Sequence, residues 1–171
     1  HAGLAGAGYM VAPDILSHLT MSQNNHPLTI ATWNNKKAIE ASWKILQSMG
    51  TALDAVEAGA RVPEADVNDT SVGYGGFPDR EGKVTLDACI MDHLGNAGSV
   101  MFLEGIMHPI SVARKVMEKT PHVFLSGAGA KKFALEQGFK EENLLTEFAS
   151  AEWQKWLKTA EYQPKINRER H

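Results

Sequence analysis

The glycine-rich loop at residues 71–79 is the part of the chain that most suggests chemistry. It holds three glycines and one proline in nine positions, so its backbone must turn sharply or approach another group closely. Ser71 opens the loop, and its hydroxyl could stand beside a reactive centre around which the loop wraps. The alternative is a structural turn whose glycines allow two strands to cross closely.

Trp33 is a second candidate, because it ends a predicted strand immediately before Asn34 and Asn35. Side chains at such strand ends often line a cleft. A third candidate is the turn at residues 127–129, between a predicted strand and a helix, where backbone N–H groups could hold phosphate. Lys132 stands where the dinucleotide fingerprint has its third glycine, which favours a plain tight turn.

Spacing alone predicts neither a metal site nor a nucleophile–base pair. The seven histidines show no i,i+4 pairing and no neighbouring carboxylate in the arrangement of a metal motif. Cys89 is the single cysteine, which excludes an internal disulfide and a Cys-based zinc site. Its position on an alternating strand predicts a small buried residue. We therefore expect no metal and no cofactor.

The composition is that of an ordinary globular domain. Of the 171 residues, 43% are apolar, 22% are charged and 8% are aromatic, with a net charge of −3. The chain has no basic block of the kind that binds nucleic acid. It also has no apolar run near the ~20 residues of a membrane helix. Neither nucleic acid nor a membrane is an expected partner.

Periodicity from residue 27 onward predicts a mixed α/β fold. Thr51 and Asp54 resemble a capping box at the start of a helix, and Asn34 or Asn35 can cap the helix before it. Trp43, and the pair Trp153 and Trp156 further along, occupy apolar helix faces and are expected to pack inside. The predicted strands are residues 28–33, 84–90, 95–103 and 122–125; the predicted helices are residues 36–49, 52–60, 110–119, 130–137 and one that begins near residue 150.

Residues 1–26 differ from the rest and are treated as a separate leader-like or cloning-derived segment, with one domain over residues 27–171. The small, apolar run at residues 4–13 is similar to the distal part of an export signal, although the charged region that normally precedes it is absent. It predicts a periplasmic or secreted protein. An ordinary N-terminal helix is the alternative.

Several motifs, in their order along the chain, resemble the glycosylasparaginases, and the resemblance covers essentially all of residues 27–171. They are Ala31-Thr32-Trp33-Asn34, Ser71-Val72-Gly73-Tyr74-Gly75-Gly76, Leu86-Asp87-Ala88, Met91-Asp92, and the stretch from Pro109 to Gly127. That family belongs to the N-terminal nucleophile hydrolases, whose fold is an αββα sandwich. The resemblance implies an amidohydrolase that cleaves the bond between asparagine and N-acetylglucosamine.

By the same resemblance, this chain is an α subunit made from a precursor that cuts its own backbone. The nucleophile is then the N-terminal threonine of the β subunit, so no catalytic residue is expected in this chain. His171 falls in the cleavage region, although the Asp that the family places after it is not in the sequence. The implied assembly is a dimer of αβ heterodimers that acts on glycosylated asparagine without a cofactor.

The resemblance gives Trp33 a place in the wall of the substrate pocket and puts the Ser71 hydroxyl beside the threonine. Asn35 departs from the aromatic residue often found there in the family, which leaves the pocket rim open to question. An isoaspartyl peptidase or asparaginase is the alternative within the superfamily, but those enzymes usually carry His-Gly-Gly where this chain has Thr32-Trp33-Asn34. A non-catalytic nucleotide-binding module using residues 127–129 is the alternative of another class.

Overall fold

A computed structural model describes residues 26–160 of the chain as five helices and a three-stranded sheet. These are α1 (Lys36–Gln47), α2 (Ala52–Ala65), β1 (Thr85–Met91), β2 (Ala97–Glu104), α3 (Pro109–Lys119), β3 (Phe124–Ser126), α4 (Gly127–Glu136) and α5 (Glu147–Thr159). The predicted mixed α/β class is confirmed. His171 and nearly all of the predicted leader segment lie outside the described residues. In the part described, every helix falls short of the length and hydrophobicity of a membrane span.

The sheet has the order β1-β2-β3, with β1 antiparallel and β3 parallel to β2. One face is buried against α3, and it forms the main core of the described residues. Gly98 of β2 lies so close to α3 that a Cβ atom there would stand 2.1 Å from the Ala113 carbonyl oxygen. The core side chains of the sheet and α3 include Ile90, Val100, Leu103, Val112, Ala113 and Val116.

Local signals in the sequence explain the pairing of α1 with α2. Asn35 caps α1 by accepting a hydrogen bond from the Ala38 N–H at 3.0 Å, and Thr51 with Asp54 forms the predicted capping box of α2. The two helices pack so closely at Gly59 that a side chain would not fit there. A Cβ atom at this position would stand 2.3 Å from the Ser42 hydroxyl oxygen.

The predicted strand at residues 28–33 is wrong in the described structure, where this segment is irregular and Leu28 and Ile30 are exposed. A strand needs a neighbour for its backbone N–H and C=O groups. No strand among residues 26–160 runs beside this segment. Trp43 is also less buried than expected, with 38% of its surface exposed on α1.

The second face of the sheet carries no helix in the described part of the chain. Cys89 pairs with Ser99, which also pairs with Phe124, so these side chains share that face. Met91 and Met101 lie on it too, and both are largely exposed. The prediction that Cys89 is buried is therefore wrong, because its strand position faces the uncovered side.

Candidate active site

Trp33 and Ser71, which are 38 residues apart in the sequence, line one cavity of about 870 Å³. Its walls come from residues 29–35, one side of α1, one side of α2 and the start of the glycine-rich loop. This volume suits a ligand of intermediate size. The pocket role given to these two residues stays a prediction, but the fold brings them to the same space.

The Trp33 indole is 83% exposed among the described residues, so it stands free to contact a ligand or another chain. Its backbone carbonyl accepts a hydrogen bond from the Asn35 N–H at 2.8 Å. Because the Asn35 side chain caps α1, its amide oxygen is committed to the helix. Asn35, where the family often has an aromatic residue, thus serves as the N-cap of α1.

Ser71 is held by Asp69, a residue that the sequence reasoning missed. One carboxylate oxygen of Asp69 accepts the Ser71 backbone N–H at 2.9 Å and the Ser71 hydroxyl at 2.5 Å. Asp69 also lines the cavity. The signal that could have revealed it is the Asp-x-Ser spacing, since an Asp side chain often bonds the backbone two residues on.

Close backbone approaches explain the glycines of the loop. Gly73 has a φ of +66°, and a Cβ atom there would stand 2.0 Å from the Glu64 carbonyl oxygen. That oxygen accepts the Tyr74 N–H at 2.7 Å, while the Gly75 N–H donates to the Leu144 carbonyl at 3.2 Å. These two backbone hydrogen bonds therefore hold the loop against the end of α2 and against the segment before α5.

Glu64 links this loop to the start of α3. Its side chain is buried, and its two carboxylate oxygens lie 3.0 Å from the Ile110 N–H and 3.0 Å from the His108 Nδ1 atom. Burial raises the pKa of Glu64, although its hydrogen bonds to His108 and Ile110 oppose that effect. The carboxyl thus replaces the side-chain cap that His108 does not provide.

Arg114 forms the second connection between α2 and α3. Its guanidinium binds Asp54, Glu57 and Glu118, each at 2.7 Å. The hydrogen bond from Arg114 lowers the pKa of Glu118. The pKa of Asp54 is lowered by its bonds to Thr51 and then to Arg114. This network fixes the helices that carry one wall of the cavity and the loop.

Neither Asp87, which lies in one of the motifs that carry the resemblance, nor the candidate turn at residues 127–129 lines the cavity. Asp87 accepts the Phe102 N–H at 2.8 Å across a bulge where Phe102 has a φ of +54°, so its use is structural. The turn at residues 127–129 is the first turn of α4. Within residues 26–160, no three His, Cys, Asp or Glu side chains converge as a metal site would require.

The described part of the cavity can therefore bind and orient a polar group. Its described walls supply an aromatic face, a hydroxyl and a carboxylate. The Ser71 hydroxyl donates a hydrogen bond to the Asp69 carboxylate, which fixes the direction of the hydroxyl. This arrangement suits an orienting hydroxyl.

Comparison with known proteins gives one family. The model of the asparaginase family matches residues 9–171. An N(4)-(β-N-acetylglucosaminyl)-L-asparaginase of Elizabethkingia miricola is 52% identical over 174 residues, which is 99% of this chain and 51% of that protein. The protein of the same name from Rattus norvegicus is 43% identical over 151 residues, 87% of this chain and 44% of its own length. A plant-type L-asparaginase of Pyrococcus horikoshii is 47% identical over 119 residues, 69% of this chain and 38% of its own length.

The chain thus spans about half the length of the first two of these relatives. The similarity nevertheless runs through nearly the whole chain, and it confirms the resemblance seen in the motifs around Trp33 and Ser71. The chain belongs to the asparaginase family.

Proposed function

We propose that this chain is the α chain of a two-chain amidohydrolase that cleaves the bond between the asparagine side chain and N-acetylglucosamine. The names of the Elizabethkingia and rat relatives support this substrate. The observation that carries the proposal is the shared cavity of Trp33 and Ser71. It offers an aromatic wall and an oriented hydroxyl to a nucleophile that arrives from another chain.

The uncovered face of the sheet supports a second chain cut from the same precursor. Met91, Met101 and Phe124 on that face are 67%, 49% and 47% exposed, and large apolar side chains grouped on one surface usually mark an interface. A second sheet laid on this face would complete an αββα sandwich. Two such αβ units would then form the expected dimer of heterodimers.

An N-terminal threonine can carry out the reaction without a cofactor. Its α-amine has a pKa of about 7.7–8.0, so the neutral amine can take the hydroxyl proton while the oxygen attacks the amide carbonyl. The proton passes to the leaving amino sugar as the C–N bond breaks, which leaves a β-aspartyl enzyme. Water then attacks that ester, frees aspartate and restores the threonine. Donors of the second chain would hold the oxyanion, at ~3–4 kcal/mol each.

L-asparaginase activity is the second candidate, and the 47% identity to the Pyrococcus protein favours it. Free asparagine and glycosylated asparagine share the amide that is attacked, and they differ only in the leaving group. A cavity of about 870 Å³ has room for a sugar as well as the amino acid. Because the chain belongs to the asparaginase family, we prefer an amidohydrolase to the non-catalytic nucleotide-binding module.

The test uses the full precursor, expressed and purified as one gene product. We expect two copurifying polypeptides, the second of which begins with threonine by N-terminal sequencing. The mixture should release the amino sugar from glycosylated asparagine faster than it releases ammonia from free asparagine. A precursor with that threonine replaced by alanine is the control. An uncut, inactive wild-type protein would overturn the proposal, and faster release of ammonia would select the second candidate.

A further inference from the structure

The described wall of the cavity carries a single charge. The lining side chains from residues 29–35, from α1 and from α2 are all neutral, and Asp69 is the ionisable residue among the lining residues described. On α1, Lys36 pairs with Glu40 at 3.6 Å. The cavity therefore presents a local negative charge beside Ser71.

The bonds between Asp69 and Ser71 also fix the direction of the hydroxyl proton. A serine hydroxyl has one proton to donate and two lone pairs that accept. The proton is given to Asp69, and the backbone N–H of Ser71 binds the same carboxylate oxygen. Ser71 can then only accept a hydrogen bond from a group in the cavity, which means an N–H or O–H donor.

We propose that Asp69 is a positioning residue that acts through Ser71 on the α-amine of the nucleophilic threonine. The Ser71 oxygen would accept one amine N–H and so direct the amine lone pair toward the threonine hydroxyl. This inference rests on the function proposed above. It adds Asp69 to the residues on which the reaction depends, through its hydrogen bonds to Ser71.

A carboxylate near an amine favours the protonated form of that amine. Activity requires the neutral amine, so the rate falls on the acid side as the amine gains a proton. Removal of the Asp69 charge should lower the pKa of the amine, and the acid limb of the kcat/KM profile should move to lower pH. We expect a shift of about 0.5–1 pH unit.

The experiment compares Asp69→Asn with Asp66→Asn in the two-chain enzyme. Asp66 is a matched control, because it accepts the Asn68 N–H at 3.0 Å in the same type of local turn and does not line the cavity. We expect Asp69→Asn to lower kcat about tenfold, with little change in KM, as a charge-assisted hydrogen bond becomes a neutral one. Asp66→Asn should leave kcat and the acid limb unchanged.

A double-variant cycle tests whether Asp69 acts through Ser71. Once Ser71→Ala has removed the hydroxyl, the further change Asp69→Asn should cost less than twofold in kcat. If Asp69→Asn blocks cutting of the precursor, the two chains are expressed from separate reading frames and the same profiles are recorded.

An unmoved acid limb in Asp69→Asn, or equal effects of the two Asp variants, would overturn the proposal while wild-type hydrolysis of glycosylated asparagine continues. A wild-type enzyme without that activity would instead overturn the proposed function. Full additivity of Ser71→Ala and Asp69→Asn would show that Asp69 acts by another route.

Discussion

Trp33 combines high exposure with a fixed backbone position beside the cavity. Its carbonyl is tied to the Asn35 N–H, and Asn35 in turn caps α1. An exposed indole held in this way offers a large apolar face at a small entropic cost when it binds. Sequence reasoning could select Trp33 from its place before two asparagines. The Asp-x-Ser spacing is the only local signal for Asp69, and it is a weak one because the same short spacing is common in ordinary turns.

Replacement of Trp33 by alanine should lower kcat/KM for glycosylated asparagine about 10- to 100-fold, because the aromatic wall of the pocket is lost. Trp43→Phe is the matched control, since Trp43 lies on α1 outside the cavity lining, and it should change kcat/KM less than twofold. Steady-state kinetics of both variants provide the check. Small, equal effects would remove Trp33 from the pocket.

At the scale of elements, the Asn35 cap of α1, the capping box of α2 and the alternation of β1 could be predicted because each depends on neighbours in the sequence. The bulge between Leu86 and Ala88 could not, since the register depends on how β2 meets β1. The connection of Glu64 to α3 spans 46 residues, and no local pattern marks it.

Gly73→Ala should prevent the loop from reaching its place, because the new Cβ would stand 2.0 Å from the Glu64 carbonyl oxygen. Little processed enzyme should be recovered. Gly95→Ala is the control: Gly95 has a similar positive φ of +84° but no atom within 4 Å of the added Cβ. We expect it to cost only about 1 kcal/mol of unfolding free energy, as measured by urea titration. Equal yields of the two variants would contradict the tight approach.

Arg114→Met should lower the free energy of unfolding at pH 7 by about 1–3 kcal/mol, because Asp54, Glu57 and Glu118 each lose a charged partner. Arg114 lowers the folded pKa values of Glu118 and Asp54. The stability that these shifts supply is therefore present above the unfolded values near pH 4 and is lost as the pH falls through the folded values. The variant should lose less stability than the wild type between pH 6 and pH 3.

Lys115→Met is the control for Arg114→Met, since Lys115 pairs with Glu118 in a more exposed ion pair, worth under ~1 kcal/mol. Thermal unfolding curves across that pH range give the comparison. Parallel loss of stability in wild type and Arg114→Met would show that the network contributes no acid dependence.

At the scale of the whole molecule, residues 26–160 leave the sheet with one well-packed face and one uncovered face. The same circumstance explains the failed prediction at residues 28–33: their β-branched and apolar residues favour a strand, but the described chain provides no neighbour for it. The sequence of a segment shows its preference for an extended conformation. Whether the segment pairs as a strand depends on a neighbouring strand, which another part of the protein must supply. The predicted α/β class is nevertheless correct, because β1, β2 and α3 form a hydrophobic core without residues 28–33.

Met101→Lys should make the isolated chain more soluble, because it places a charge on the uncovered sheet face. In the two-chain enzyme the same change should block assembly, since a lysine would be buried without a partner. Leu135→Lys on α4 is the control, as Leu135 is similarly exposed but lies away from that face. Size-exclusion chromatography measures both properties. Normal assembly of Met101→Lys would contradict a partner on this face.

A crystal structure of the mature two-chain enzyme would test the central claim most directly. The distance to be measured joins the Ser71 hydroxyl oxygen and the α-amine nitrogen of the second chain's first residue. The account predicts about 3 Å, a hydrogen bond, with the Trp33 indole facing the same space. An N-terminal amine that lies away from Ser71 and Trp33 would contradict it.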